Sequence, residues 1–145
     1  MAAAHLRTAT TQDADSIRAL LAASGLPTSD LVTAQPEFVV ACAGTDVVGA
    51  GALQRFGAAA LLRSVAVVPD LRGTGLGRLL VQELERRARA AQVRELLLLT
   101  ETAKDFFQHQ GYSAIVRQAA PQALQATDEF RTLCPVSATC MRKAL

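Results

Sequence analysis

The 145-residue chain is half hydrophobic, enough for one domain with a real core and too apolar for a disordered chain. Its net charge of +2 is too small to imply nucleic acid or an anionic membrane as partner, and Arg86, Arg87 and Arg89 read as the solvated face of a helix. No apolar run reaches membrane-spanning length.

In chain order, Leu6 to Ala9 reads as a first short strand. Thr10 or Thr11 can cap the helix that follows, Asp13 and Asp15 suit its positive first turn, and Ile17, Leu20 and Leu21 form its apolar face. Gly25 ends it, and Pro27-Thr28-Ser29-Asp30 opens a second, shorter helix. Glu37 to Ala43 is a strand, Gly44-Thr45-Asp46 a turn, and Val47 to Gln54 the paired strand. Gly49 and Gly51 weaken that second strand and predict a bulge or the close approach of a ligand. Leu61 to Val68 is a central strand closed by Pro69. The spacing of Leu76, Leu79, Leu80, Leu84 and Ala88 predicts a helix with a buried stripe over 76–91. Val93 to Leu99, apolar throughout its centre, is a strand covered on both faces. Ala103 to Gln110 is a helix ended by Gly111, Tyr112 to Arg117 a strand, Pro121 to Thr127 a helical turn, and Val136 to Met141 a last strand.

Between the central strand and the long helix lies Arg72-Gly73-Thr74-Gly75-Leu76-Gly77. Strand, glycine-rich turn and helix together offer free backbone N–H groups and a positive helix end to a phosphate. A dinucleotide turn needs G-x-G-x-x-G, and this chain has G-x-G-x-G. A P-loop needs Gly-Lys-Ser/Thr, and Gly77 is followed by Arg78. The remaining pattern, Arg/Gln-x-x-Gly-x-Gly/Ala preceded by Val-x-Pro-x-x-Arg, is the acyl-CoA loop of the GNAT superfamily of N-acetyltransferases. Val67, Pro69 and Arg72 through Gly77 resemble it at every position. The element order is similar to that superfamily over the whole chain.

The resemblance implies a single α/β (α+β) domain over residues 1–145. Its mixed central sheet would have six to seven strands, a splayed fourth and fifth strand, and about four flanking helices. It implies acetyl-CoA as cosubstrate and no metal. The pyrophosphate would lie on the N–H groups of Arg72, Gly73, Thr74, Gly75, Leu76, Gly77 and Arg78, and the pantetheine arm along Val65, Ala66 and Val67. Phe107 would sit beside it. The reaction is attack of a neutral amine on the thioester, which needs positioning, an acceptor for the amine proton and a donor for the departing thiolate.

The chain departs from the better-known members. Where many carry a Glu base on the central strand, it has Leu61. Where many carry a Tyr acid in Phe-Tyr-x-x-x-Gly-Phe, it reads Phe106-Phe107-Gln108-His109-Gln110-Gly111-Tyr112, so the acid position is Phe107. Tyr112, its only tyrosine, reads as core with one partner for its hydroxyl. The remaining catalytic candidates are Glu101, Ser64 and Thr100, with His109 near a helix end.

The stretch from Phe130 to Met141, together with 59–64 and 98–107, is also similar to the arsenic-resistance N-acetyltransferases. That resemblance implies acetylation of the α-amine of a small acidic amino-acid analogue such as arsinothricin or phosphinothricin. Arg63, Arg55 and Arg117 are the candidate ligands of its acidic groups, because a planar guanidinium suits a carboxylate or phosphinate. Other amines, namely a polyamine, an aminoglycoside or a protein N-terminus, are the alternative within the same chemistry. A non-catalytic acyl-CoA-binding or metalloid-sensing module is the alternative outside it, with Cys134, Cys140 and Cys42 as candidate thiolates. Three cysteines argue against a disulfide framework. The start, Met1 to His5, has neither the charged region nor the apolar block of a signal peptide, so a cytoplasmic location is expected. A homodimer is expected from family habit.

Overall fold

The computed structural model describes residues 4–145, so the reading of the extreme N-terminus falls largely outside the described residues. The elements in order are β1 (His5–Thr8), α1 (Ala14–Ala23), α2 (Leu31–Ala34), β2 (Glu37–Ala43), β3 (Asp46–Phe56), β4 (Ala59–Val67), α3 (Leu76–Ala90), β5 (Glu95–Thr100), α4 (Lys104–His109), β6 (Ser113–Ile115), α5 (Gln122–Gln125) and β7 (Thr139–Ala144). A π-helical turn, Glu129–Leu133, precedes β7. One mixed sheet of seven strands, in the order β1-β2-β3-β4-β5-β7-β6, carries them all. Among the described residues only β4 and β5 pair in parallel. The expected mixed sheet with flanking helices is the observed one. No helix of the described residues is long and apolar enough to cross a membrane.

Strand alternation sorts the core onto two faces. Leu62, Leu96 and Leu98 point to α3, where Leu80, Val81 and Leu84 meet them. Leu61 and Leu97 point the other way, to Leu124 and Phe130 of the C-terminal segment. Further along that face, Val40 and Ala50 receive Ile17 and Leu21 of α1.

Several boundaries and contacts differ from the sequence reading, each for a physical reason. Leu79 is 48% exposed rather than part of the stripe, because it lies roughly 140° around the helix axis from buried Leu84. The bulge expected at Gly49 and Gly51 is present, in register shifts beside Gly49 and across Gly51, and the close approach there is that of α3, not of a ligand. A Cβ at Gly51 would lie 2.7 Å from Leu84 Cδ1, and one at Gly49 3.0 Å from Leu80 Cδ1. The short second helix starts at Leu31, with Asp30 buried ahead of it. The last strand starts at Thr139, because Ala138 N–H turns back to Pro135 O and leaves Val136 94% exposed.

Candidate active site

The parallel pairing of β4 and β5 stops after Leu61 and Leu97, although the strands run on to Val67 and Thr100. Beyond that point they diverge and open a cleft of about 870 Å³. One wall is the end of β4 and the glycine loop, and the other is the end of β5 with the start of α4. The α1–α2 loop (Ser24 to Pro27) and Cys134 with Ala138 close one end.

The divergence has a local cause on β4. Ala66 faces Ala50 and Arg63 faces Ala52, so three steps on β4 oppose two on β3. The surplus residue is a β-bulge, and Ser64 within it takes a left-handed φ of 59°. Bulges bend a strand and re-aim its side chains, which here brings Ser64 to the cleft wall. Arg63 Nε donates to the Ser64 hydroxyl at 3.3 Å.

At the other end, Gly73 and Gly75 take φ of 79° and 90°, a region that L side chains avoid. A Cβ at Gly73 would meet no atom within 4 Å, and one at Gly75 only the Arg78 guanidinium at 3.9 Å, so the space these glycines leave faces outward. Their N–H groups make no backbone hydrogen bond among the described residues. The first N–H groups of α3 have no helical partner by construction. Arg72 Nε donates to Val67 O at 3.1 Å and pins the loop to the end of β4. Outward-facing glycines thus meet the N-terminus of a 15-residue helix, with Arg72 and Arg78 on the cleft wall, an arrangement that suits an anionic group.

Residues 34–114 match the family model described as the acetyltransferase (GNAT) domain. The chain belongs to the GNAT acetyltransferases. No curated protein matches it. Among solved structures, Rv2747 from Mycobacterium tuberculosis, in complex with CoA and NLQ, is 25% identical with a TM-score of 0.82; the match covers 97% of this chain and 99% of that one. N-acetylglutamate synthase from Neisseria gonorrhoeae, complexed with CoA and N-acetyl-glutamate, is 19% identical with a TM-score of 0.84. That match covers all of this chain but 36% of the synthase chain, so the chain spans about a third of that relative. An acetyltransferase from Streptococcus agalactiae is 21% identical with a TM-score of 0.76, covering 98% of each chain. This GNAT acetyltransferase is an acetyl-CoA-dependent N-acetyltransferase.

The cleft brings most of the candidate residues of this GNAT enzyme together. Val65, Ala66, Val67, Arg72, Gly73 and Gly75 line it, as do Gly77, Arg78 and Phe107. Thr74 and Leu76 do not: the Thr74 hydroxyl donates to Leu71 O and the Leu76 side chain is buried in the core. Ser64, Thr100 and Glu101 line the same cleft. The Thr100 hydroxyl accepts the Ala103 N–H at 3.0 Å, which fixes the chain as it enters α4. Glu101 is exposed at the cleft wall. His109 is exposed, sits 2.7 Å from its own helix's Asp105 O, and takes no part in the lining.

The three arginines are a correction. Arg55 pairs with Glu37 across β2 and β3 at 2.5 Å, outside the cleft. Arg117 donates to Phe130 O and to Pro135 O, also outside it. Arg63 reaches the cleft wall, but its side chain is fully buried and its guanidinium is engaged by Asp30, Gln54, Ser64 and Glu129. Arg55 and Arg117 therefore lie away from the cleft lining, although Arg117 Nε is left without a partner among the described residues, and the Arg63 guanidinium that does reach the wall is already held by carboxylates. The thiolate set is corrected too. Cys42 on β2 and Cys140 on β7 are four strands apart in the sheet, roughly 19 Å. No three His, Cys, Asp or Glu side chains among the described residues converge on a metal-sized site.

Tyr112 is core, with its hydroxyl donating to buried Glu85 at 2.9 Å and its ring edge-on to Phe107. Burial, then the neighbouring Glu85 charge, raises its pKa far above the ordinary value. Sequence reasoning missed the walls made by Ser24 to Pro27 and by Cys134 with Ala138. Only the fold joins those segments to β4, and no local pattern announces them. The Cys134 thiol is pushed up to about 12, first by burial and then by the Glu129 carboxylate, so it stands in the wall as a neutral group.

Proposed function

We propose that this enzyme acetylates the α-amine of a small amino acid with an acidic side chain, arsinothricin and phosphinothricin being analogues of that type. The observation that carries the reading is the splayed β4/β5 cleft, which has room for acetyl-CoA on one side and a compact acceptor on the other. The structure of the N. gonorrhoeae synthase with CoA and N-acetyl-glutamate supports an acceptor of this size and class. The amine nitrogen attacks the acetyl carbonyl carbon, the C–S bond breaks, and the amide forms as the amine proton leaves. Glu101 takes that proton, through water where needed, and the CoA thiolate is protonated from solvent. Ser64 and Thr100 orient the acceptor beside the thioester. The proposal includes a cytoplasmic enzyme and a homodimer.

A second reading rests on one observation. The cationic side chains of the cleft wall are Arg63, Arg72 and Arg78. Arg63 is neutralised by carboxylates and the other two belong to the diphosphate end, while Glu101 brings negative charge to the acceptor end. That balance favours a neutral or cationic amine. Thiol release from acetyl-CoA with arsinothricin, phosphinothricin, glutamate, spermidine and an aminoglycoside separates the two. Turnover confined to the first three supports the acidic acceptor, and turnover confined to the last two replaces it. With the active acceptor, Glu101→Gln lowers kcat about a hundredfold, as expected on losing a general base, and leaves the Kd for acetyl-CoA unchanged. An unchanged kcat removes Glu101 from the role.

A further inference from the structure

Arg63, Asp30 and Glu129 form a buried charged cluster at the closed end of the cleft. The Arg63 side chain is 0% exposed and the two carboxylate side chains are each 5% exposed. Arg63 Nη1 and Nη2 donate to the two oxygens of Asp30, each at 2.7 Å, which is bidentate pairing. Nη1 also donates to Gln54 Oε1 at 3.1 Å, Nη2 lies 3.2 Å from Glu129 Oε1, and Nε holds the Ser64 hydroxyl. Asp30 and Gln54 line a separate shallow groove of about 350 Å³, so the cluster is the partition behind the cleft.

Three segments distant in sequence meet at this one guanidinium. Asp30 follows the Ser24 to Pro27 wall and opens α2. Glu129 opens the π-helical turn that leads to Cys134, the opposite wall. Arg63 itself precedes the Ser64 bulge. The diphosphate end has its own anchors, the Arg72 bond to Val67 O and the packing of α3 on β3 and β4. Removing one partner of a buried charged cluster leaves an uncompensated charge, so these segments cannot keep their places without it.

We infer that Arg63, clamped between Asp30 and Glu129, is a positioning residue that assembles the acceptor half of the cleft, while the acetyl-CoA half stands without it. The inference rests on membership of the acetyltransferase family and holds whichever amine is the acceptor.

The test uses the full chain as Arg63→Lys and Asp30→Asn, both gentler than removing the side chain. Calorimetry with acetyl-CoA is expected to give a Kd within about twofold of the unaltered enzyme. Hydrogen exchange with acetyl-CoA bound is expected to rise at least tenfold over 24–30 and 129–138 and stay unchanged over 72–78. Initial rates with glutamate and with spermidine are expected to show, for whichever is acetylated, a KM raised about tenfold and a smaller change in kcat. A parallel loss of acetyl-CoA affinity and exchange protection over 72–78 would mean that the cluster only holds the fold together, and would overturn the inference. Unchanged exchange at 24–30 and 129–138 in both variants would overturn it as well.

Discussion

Phe107 and Tyr112 separate an aromatic ring at the cleft from the chain's one phenol. Phe107, which the family resemblance puts where a tyrosine acid is expected, has no proton to give. Tyr112 has the hydroxyl, but it is turned away from the cleft to Glu85, which Lys143 Nζ also meets at 3.0 Å. The single tyrosine is therefore a structural donor, and Tyr112→Phe is expected to leave kcat within twofold. Stability is expected to fall by about 1–2 kcal/mol, the usual size for a bond to a charged acceptor that keeps another partner. Chemical denaturation beside steady-state rates checks both halves, and a hundredfold loss of kcat would return Tyr112 to the chemistry. The sequence was legible at these residues because spacing within one motif locates them. It was not legible at Arg63, whose main partner Asp30 lies 33 positions away. An arginine beside a cleft and an arginine locked inside a charged cluster read alike until the fold brings the carboxylates in.

At the scale of elements, strand–loop–helix was the most readable unit, because glycine spacing and helical periodicity are local. The bulge expected at the glycines inside β3 is present, with register shifts beside Gly49 and across Gly51, but local pattern missed that both glycines also make room for α3. Gly51 admits α3, while Gly73 faces open space in the loop proposed to hold the diphosphate, so alanine at the two positions is expected to have opposite consequences. Gly51→Ala sets a methyl 2.7 Å from Leu84 Cδ1, and overpacking of this kind costs about 1–3 kcal/mol. Its acetyl-CoA affinity is expected to stay within a few-fold, measured on the folded fraction. Gly73→Ala meets nothing in the protein and costs only the left-handed backbone, on the order of 1–2 kcal/mol. In the proposed site its methyl would stand in the path of the diphosphate, so the Kd for acetyl-CoA is expected to rise at least tenfold. Thermal unfolding and calorimetry on both variants read the contrast. Equal effects on affinity would show that the loop does not hold the diphosphate.

Over the whole molecule, the shifted groups set the pH range of stability. Glu83 is held at about 2 by hydrogen bonds from Arg86 and Arg87, and Asp13 is held well below the carboxylate range by Arg7 and the Thr10 N–H. Both folded-state values are depressed, so their contribution is present above the ordinary carboxylate value near 4.5 and is lost as pH falls toward 2. Glu129 acts in the opposite sense: burial raises its pKa, so stability declines as pH rises past 4.5 toward its folded value. At the alkaline end, burial raises Cys134 from 9.0 to about 12 and also raises Cys140 and Tyr112. The unfolded chain loses these protons first, so the Cys134 contribution to stability is full below pH 9.0 and is lost through the interval up to about 12. Unfolding free energy is therefore expected to drop at both ends, below pH 4.5 and above pH 9. Glu83→Gln is expected to flatten the acid limb and Cys134→Ala the alkaline one, each leaving the other limb in place. Denaturant titrations at about one-unit intervals check this, and an alkaline limb unchanged in Cys134→Ala would show that the thiol facing the cleft is not held neutral by burial.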